Sequence, residues 1–184
     1  MRLRSLILLM TISAALAFSK DGTSWNGNIS KESSLGLVLD VAEYDQAGFA
    51  LMEQGGEALE QLFPEVPWEV LDSSMPNLSA PGRLDSLTSL ADTATDAALK
   101  AKTLGGELGK THVLVVRRGG KKAQRDSAAQ FDDSIGFTLW DASNGQLLLK
   151  QEFHTKGNKG ELSAESQWAK DAWKRFGDAV KARR

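Results

Sequence analysis

Two short apolar runs constrain this chain more than any other feature: Leu35 to Val41 (LGLVLDV) and Thr111 to Val116 (THVLVV). Their length and β-branched content predict buried strands, the first covered on both faces. Between them the period changes. Phe49, Met52, Gly56, Leu59 and Phe63 recur at intervals of three and four, with Glu53, Glu57 and Glu60 on other faces, until Pro64 and Pro67 end the pattern. Trp68 to Asp72 reads as a short strand. A Pro, Gly and Ser-rich loop covers 73–83, and a second helix is expected from an N-cap at Asp85 or Ser86. Leu87, Leu90, Ala91, Ala94, Ala98 and Ala101 give that helix a narrow inner face, and Gly105, Gly106 and Gly109 loosen its end.

The second half carries a hairpin and a last helix. Residues 117–134 read as a polar stretch. Ser134–Trp140 and Leu147–Phe153 read as strands joined at Asp141-Ala142-Ser143-Asn144-Gly145. A three-residue loop, Ser143 to Gly145 with Gly145 left-handed, sets Leu139 opposite Leu149, Phe137 opposite Gln151 and Ile135 opposite Phe153, with Trp140 and Leu148 sharing the other face. A two-residue Asn-Gly turn would instead face Leu139 with Lys150, so the first register buries more apolar surface. From an N-cap at Ser163, the stripe Trp168, Ala169, Ala172, Trp173, Phe176, Ala179 and Val180 opposes Lys170, Asp171, Lys174, Arg175, Asp178 and Lys181, as in a helix laid on a sheet. The expected class is α/β (α+β): a single mixed sheet of about five strands with three packed helices, in the order β-α-β-α-β-β-β-α. Helix crossovers imply parallel pairing early, and the tight turn implies an antiparallel end.

The first residues read as an export signal. Met1-Arg2-Leu3-Arg4 is a basic start, Leu6 to Leu16 is apolar apart from Thr11 and Ser13, and Ala15-Leu16-Ala17 or Ala17-Phe18-Ser19 fits a small-x-small cleavage site. The apolar run is short against the roughly 20 residues a spanning helix needs; a retained anchor is the alternative. The expected organisation is a signal peptide over 1–19, a flexible leader over 20–34 and one αβ domain over 35–184. Cleavage near Ala17 or Ser19 would make the mature chain periplasmic or secreted. With no cysteine, no lipid anchor can be attached at a thiol and no disulfide can support the fold. Asn28-Ile29-Ser30 and Asn77-Leu78-Ser79 match glycosylation sequons, which in a bacterial-type chain read as chance.

The chemistry is sparse. Cysteine nucleophiles and thiolate metal sites are excluded, and no G-x-S-x-G elbow, phosphate loop or dinucleotide fingerprint occurs. His112 opens a buried strand and His154 ends one; neither lies in a ligand-spaced cluster, and both read as sheet-edge structural residues. Acidic pairs stand at Asp40 with Glu43 and at Asp132 with Asp133, which could do acid–base work if desolvated. The most distinctive charged feature is Arg117, Arg118, Lys121, Lys122 and Arg125. It reads either as a site for an anionic partner, such as a lipid headgroup, cell-wall polymer or acidic protein face, or as a solvated hairpin arm balanced by Asp126, Asp132 and Asp133. A net charge of -2 argues against nucleic acid as a partner. Asn144 and Gly145 are assigned to the structural turn. No metal and no cofactor is expected.

Taken in order, the signal, LGLVLDV, the acidic helix, WEVLD, the alanine-rich helix, THVLVV and the hairpin GFTLWDASNGQLLLKQEF resemble small bacterial envelope domains of the TolB amino-terminal, CsgG and LpoB type. Asp141, Asn144, Gly145 and Leu147 match the hairpin motif of those domains. The resemblance spans residues 35–182 as an order of elements, and it implies a non-catalytic role in envelope assembly or scaffolding, with an envelope protein as partner. Two other readings stand beside it: a small hydrolase using Asp40, Glu43 or Asp72, and a small-ligand binder stacking its ligand on Trp68 or Trp140. The sequence leaves the oligomeric state open.

Overall fold

A computed structural model of the chain describes residues 25–40, 46–71, 94–120, 130–158 and 162–184. Their elements run β1 (Leu35–Asp40), α1 (Gln46–Leu62), β2 (Trp68–Leu71), α2 (Ala94–Leu108), β3 (His112–Gly120), β4 (Gln130–Asp141), β5 (Gln146–Asn158) and α3 (Leu162–Lys181). The five strands form one sheet in the order β2-β1-β3-β4-β5. β2, β1 and β3 are parallel, while β3, β4 and β5 are antiparallel. This is the expected mixed α+β sheet. The start expected for the second helix, with Asp85, Ser86, Leu87, Leu90 and Ala91, lies outside the described residues.

Helices cover the sheet from both sides. On one face α1 and α3 bury Leu35, Leu37, Leu39, Leu114, Val116, Ile135, Phe137 and Leu149. On the other, α2 sits over Val38, Val113, Val115, Trp140 and Ala142 through Ala101 and Leu104. The strand β1 is therefore buried on both faces, as its unbroken apolar run requires. α3 presents the expected stripe: Trp168, Ala169, Ala172, Trp173, Phe176 and Val180 are buried, and the charged residues of its other side are exposed. It begins at Leu162, so Ser163 lies inside the helix and is not its N-cap. Phe137 lies at the centre of this layer, stacked on Phe176 at 4.9 Å and edge-on to Trp173 at 5.0 Å and Phe153 at 5.8 Å. Within the stretch read as a leader, Trp25 and Ile29 pack against the same core.

α1 buries Leu59, and Phe63 just past its end, as the apolar count expects, but its core-facing side is rotated away from Phe49. Phe49 is 57% exposed, and Met52 and Gly56 are only half-buried. The buried side instead runs through Gly48, Leu51, Gly55, Leu59 and Leu62. The cause is Trp173. Its indole Nε1 donates to the Leu51 carbonyl at 2.8 Å, and a Cβ on Gly55 would stand 2.7 Å from the indole Cζ2. The absence of a side chain at 55 lets the two helices close on the ring.

α2 ends in a Schellman arrangement. Lys110 N donates to Gly105 O at 2.9 Å and Gly109 N to Gly106 O at 3.4 Å, with Gly109 at φ 64°. Leu104, missed by the alanine pattern, is fully buried.

Both strands of the 117–134 stretch run further than its polarity suggests. β3 continues to Gly120 and β4 starts at Gln130, paired Arg117↔Gly136 through Gly120↔Asp133. Once Val116 and Phe137 are paired, extending the ladder satisfies further backbone groups, and polar side chains do not oppose it.

The hairpin keeps the expected register by another route. Leu139↔Leu149, Phe137↔Gln151 and Ile135↔Phe153 are all observed. However, Asp141 pairs with Gln146 and Trp140 with Leu147, so the loop is one residue longer and an irregularity at Leu139/Trp140 restores the frame. Trp140 consequently shares its cluster with Leu147, whereas Leu148 joins the opposite face.

Candidate functional site

Alternation along the strands carries the face beneath α2 beyond that helix, where its residues become polar. The register aligns Asp40, Arg117, Gly136 and Glu152 in one row across β1, β3, β4 and β5. Arg117 Nε lies 2.8 Å from Asp40 Oδ2, and both side chains are partly buried. That oxygen is shut off from solvent and has no other polar partner among the described residues. The guanidinium is what compensates its charge. Gly136 leaves the row open, and a cavity of about 120 Å³ lies there, lined by Arg117, Ser134, Gly136, Thr138, Lys150 and Glu152. What this surface offers a partner is charge of both signs and hydrogen bonding, held on paired strands.

The residues singled out from sequence separate here. Arg117 belongs to this face, but its partner is Asp40 from the first acidic pair. Arg118 follows it on β3, opposite Ile135. Lys121, Lys122 and Arg125 lie outside the described residues, as do Glu43, Asp72 and Asp126. Asp132 and Asp133 are in β4, opposite Lys156 and Thr155. Gly136, Thr138, Lys150 and Glu152 were not anticipated as a group, although their period-two spacing opposite the buried Phe137 and Leu149 marks them. Trp140 is 5% exposed and Trp68 packs on the core, over Gly56, so neither offers a bare stacking surface.

A second polar cluster closes the other end of β3. Thr111 Oγ1 accepts from Ser34 N at 2.8 Å and donates to Ser34 O at 3.0 Å, and His112 Nδ1 lies 3.0 Å from the same hydroxyl. With the hydroxyl proton directed to Ser34, Nδ1 is assigned as the donor. His112 is buried on the central strand of the sheet, not at an edge. Its cross-strand partner Asp141 accepts from Ser143 N at 3.0 Å, Ser143 Oγ at 2.5 Å and Asn144 Nδ2 at 2.8 Å. Asn144 Oδ1 in turn takes Gln146 N at 2.8 Å. Asn144 and Gly145 therefore form the structural turn assigned to them. His154 is exposed on β5, which is an edge strand.

Burial lowers the His112 pKa below its usual 6.5, and the nearby Asp141 charge offsets part of that shift. The folded state thus favours neutral His112. Below about pH 6.5 the unfolded chain binds a proton that the folded chain resists. Stability from this group is complete above that pH, falls as pH drops towards the lowered folded value, and levels off beneath it. Urea midpoints at pH 5 and pH 7 should differ more for the wild type than for His112→Gln. Equal differences would remove His112 as the cause.

Among the described residues no group of three His, Cys, Asp or Glu is placed to hold a metal ion, and no helix is long and apolar enough to cross a membrane. Neither a protein-family model nor a curated protein matches the chain. Solved structures do. The PelC dodecamer from Paraburkholderia phytofirmans overlaps 83% of this chain and 90% of its own at 13% identity, TM-score 0.49. Lipoprotein GNA1162 from Neisseria meningitidis overlaps 79% and 99% at 10% identity, TM-score 0.45. The LpoB C-terminal domain from Salmonella enterica overlaps 69% and 84% at 14% identity, TM-score 0.37. The last is of the type that the element order and the Asp141–Leu147 turn resemble.

Proposed function

We propose that this chain is exported to the bacterial envelope, periplasmic or released after signal cleavage, and acts there as a non-catalytic domain that binds a protein partner or supports assembly of a complex. The observation that carries this reading is how the chemically capable groups are used. Asp40 is held by Arg117, Asp141 by the turn it caps, and His112 by Thr111. Each holds the fold together, and none is paired with a nucleophile facing a cavity. The basic start and apolar run of residues 1–16 support export. Of the acids a carboxylate-dependent hydrolase could use, Asp40 is engaged by Arg117, and Glu43 and Asp72 lie outside the described residues. Crosslinking in cells followed by capture of the tagged chain tests the proposal. The expected result is a discrete envelope protein crosslinked to the processed chain. Retention of the unprocessed chain in the cytoplasm, or turnover of a substrate library, would overturn it.

A second reading rests on the strand extension. Arg117 and Arg118 stand on a paired strand, which holds basic residues in place where a loose loop would not. Arg117, Arg118, Lys121, Lys122 and Arg125 together are proposed as a contact for an anionic surface. Replacing Arg118, Lys121, Lys122 and Arg125 by Gln, with Arg117 kept in place to hold Asp40, should weaken binding to anionic vesicles at low salt and have little effect at high salt. Unchanged binding at low salt would eliminate this contact.

A further inference from the structure

Residues 25–33, read from sequence as part of a leader, close over the end of the α1 and α3 layer, yet they are joined to it thinly. Their hydrogen bonds are mostly their own. Trp25 Nε1 donates to Asn28 O at 2.7 Å, Asn28 N to Asn26 Oδ1 at 3.2 Å, Glu32 N to Ser30 Oγ at 3.3 Å and Ser33 N to Ser30 O at 2.9 Å. Among the described residues a single hydrogen bond links this segment to the rest of the chain: Arg184 Nε donates to Gly27 O at 3.1 Å. At Ser34 the attachment changes, because Ser34 and Thr111 exchange hydrogen bonds just ahead of β1.

The contact at Gly27 is tightly specified. Its φ is 74°, and a Cβ there would stand 2.6 Å from the Val180 carbonyl oxygen and 2.7 Å from Arg184 Cγ. Glycine thus lets the segment close on the last turn of α3. The same guanidinium donates through Nη2 to Leu62 O at 2.5 Å. Leu62 ends α1, and its carbonyl is among those a helix leaves without an internal partner. The planar fork of arginine suits two acceptors at once, so one side chain caps α1 and holds the segment. The apolar attachment is small. Trp25 and Ile29 are half-buried against the core, and a cavity of about 320 Å³ remains between the segment and Leu62, Phe63 and Val66. Few buried contacts and few hydrogen bonds mark a unit that opens locally.

We propose that residues 25–33 form a strap, hinged at Ser34 and clasped by Arg184, that opens and closes as a unit while the sheet stays folded. Opening withdraws Trp25 and Ile29 from the core and leaves the cavity beside Leu62 unroofed. The strap and the export reading stand on different observations, and a failure of either leaves the other standing.

Thiol labelling of the full chain tests it. The chain has no cysteine of its own, so Ile29→Cys introduces a unique thiol whose reaction with an aromatic disulfide reagent reports opening. The closed strap is expected to slow this reaction against a peptide of residues 25–33 with the same substitution. Arg184→Gln removes the clasp, and Gly27→Ala sets a methyl against the Val180 carbonyl. Both raise the closed state alone, so each should speed labelling by about tenfold or more. Val115→Ala separates strap opening from global unfolding. It leaves a cavity on the far face of the sheet, under α2, and lowers the urea midpoint, but it raises the open and closed states alike. Labelling at position 29 should then hold to within about twofold. Labelling at the full peptide rate without any second substitution, no acceleration by Arg184→Gln or Gly27→Ala, or an acceleration by Val115→Ala equal to theirs would overturn the proposal. The last result would mean that residues 25–33 are freed only when the whole domain unfolds.

Discussion

Gly145→Ala should destabilise the chain by about 2–5 kcal/mol, read as a lower urea midpoint at unchanged slope. Two costs add. Gly145 has φ 77°, a left-handed conformation in which a Cβ costs about 1–2 kcal/mol. An ideal Cβ there would also stand 2.5 Å from the Ala98 carbonyl oxygen and 3.0 Å from its carbon. Those are main-chain atoms of α2, so relief requires moving the helix, and overpacking of this kind costs about 1–3 kcal/mol. Gly109 supplies the control. It has φ 64°, and a Cβ there would meet nothing within 4 Å, so Gly109→Ala should lose the conformational part alone. The difference between the two variants measures the docking of α2 on the hairpin turn. Equal losses would mean that the turn and the helix are not in contact in solution.

The hairpin also shows how far strand alternation can be read. Leu139, Phe137 and Ile135 on one strand and Leu149, Gln151 and Phe153 on the other admit one register that keeps apolar residues on one face, and that register forms. The bulge could not be read. It depends on Asp141, whose carboxylate accepts from Ser143 and Asn144 and so favours the longer loop. The extra turn residue must then be absorbed within the strands, which moves Leu148 to the other face. The polar sheet face was legible only in pieces. Asp40 stood out as half of an acidic pair and Arg117 as the start of a basic stretch. Their meeting follows from parallel pairing of β1 with β3 across the intervening α1, β2 and α2, which local pattern does not encode.

The exposed side of α1 was misjudged for a reason that yields the sharpest test. Counting apolar residues rewards Phe49 and Met52 and gives nothing to Gly48 and Gly55, yet the glycine side is buried. What selects it is an indole 122 positions away in sequence, bonded to the Leu51 carbonyl. Trp173→Ala should cost about 3–5 kcal/mol, from lost burial and the cavity left behind. It would also break the edge-on contacts with Phe137 at 5.0 Å and Phe176 at 5.6 Å. Gly55→Ala in the wild type should also destabilise, because its Cβ would lie 2.7 Å from the ring. In the Trp173→Ala background the sign should reverse. The ring is gone, the new methyl enters the vacated space, and alanine is favoured over glycine in a helix interior by about 1 kcal/mol. The double-mutant cycle by urea denaturation should therefore show a coupling of about 1–3 kcal/mol between positions 55 and 173. If Gly55→Ala cost the same in both backgrounds, the indole would not be what demands glycine, and the orientation of α1 would need another cause.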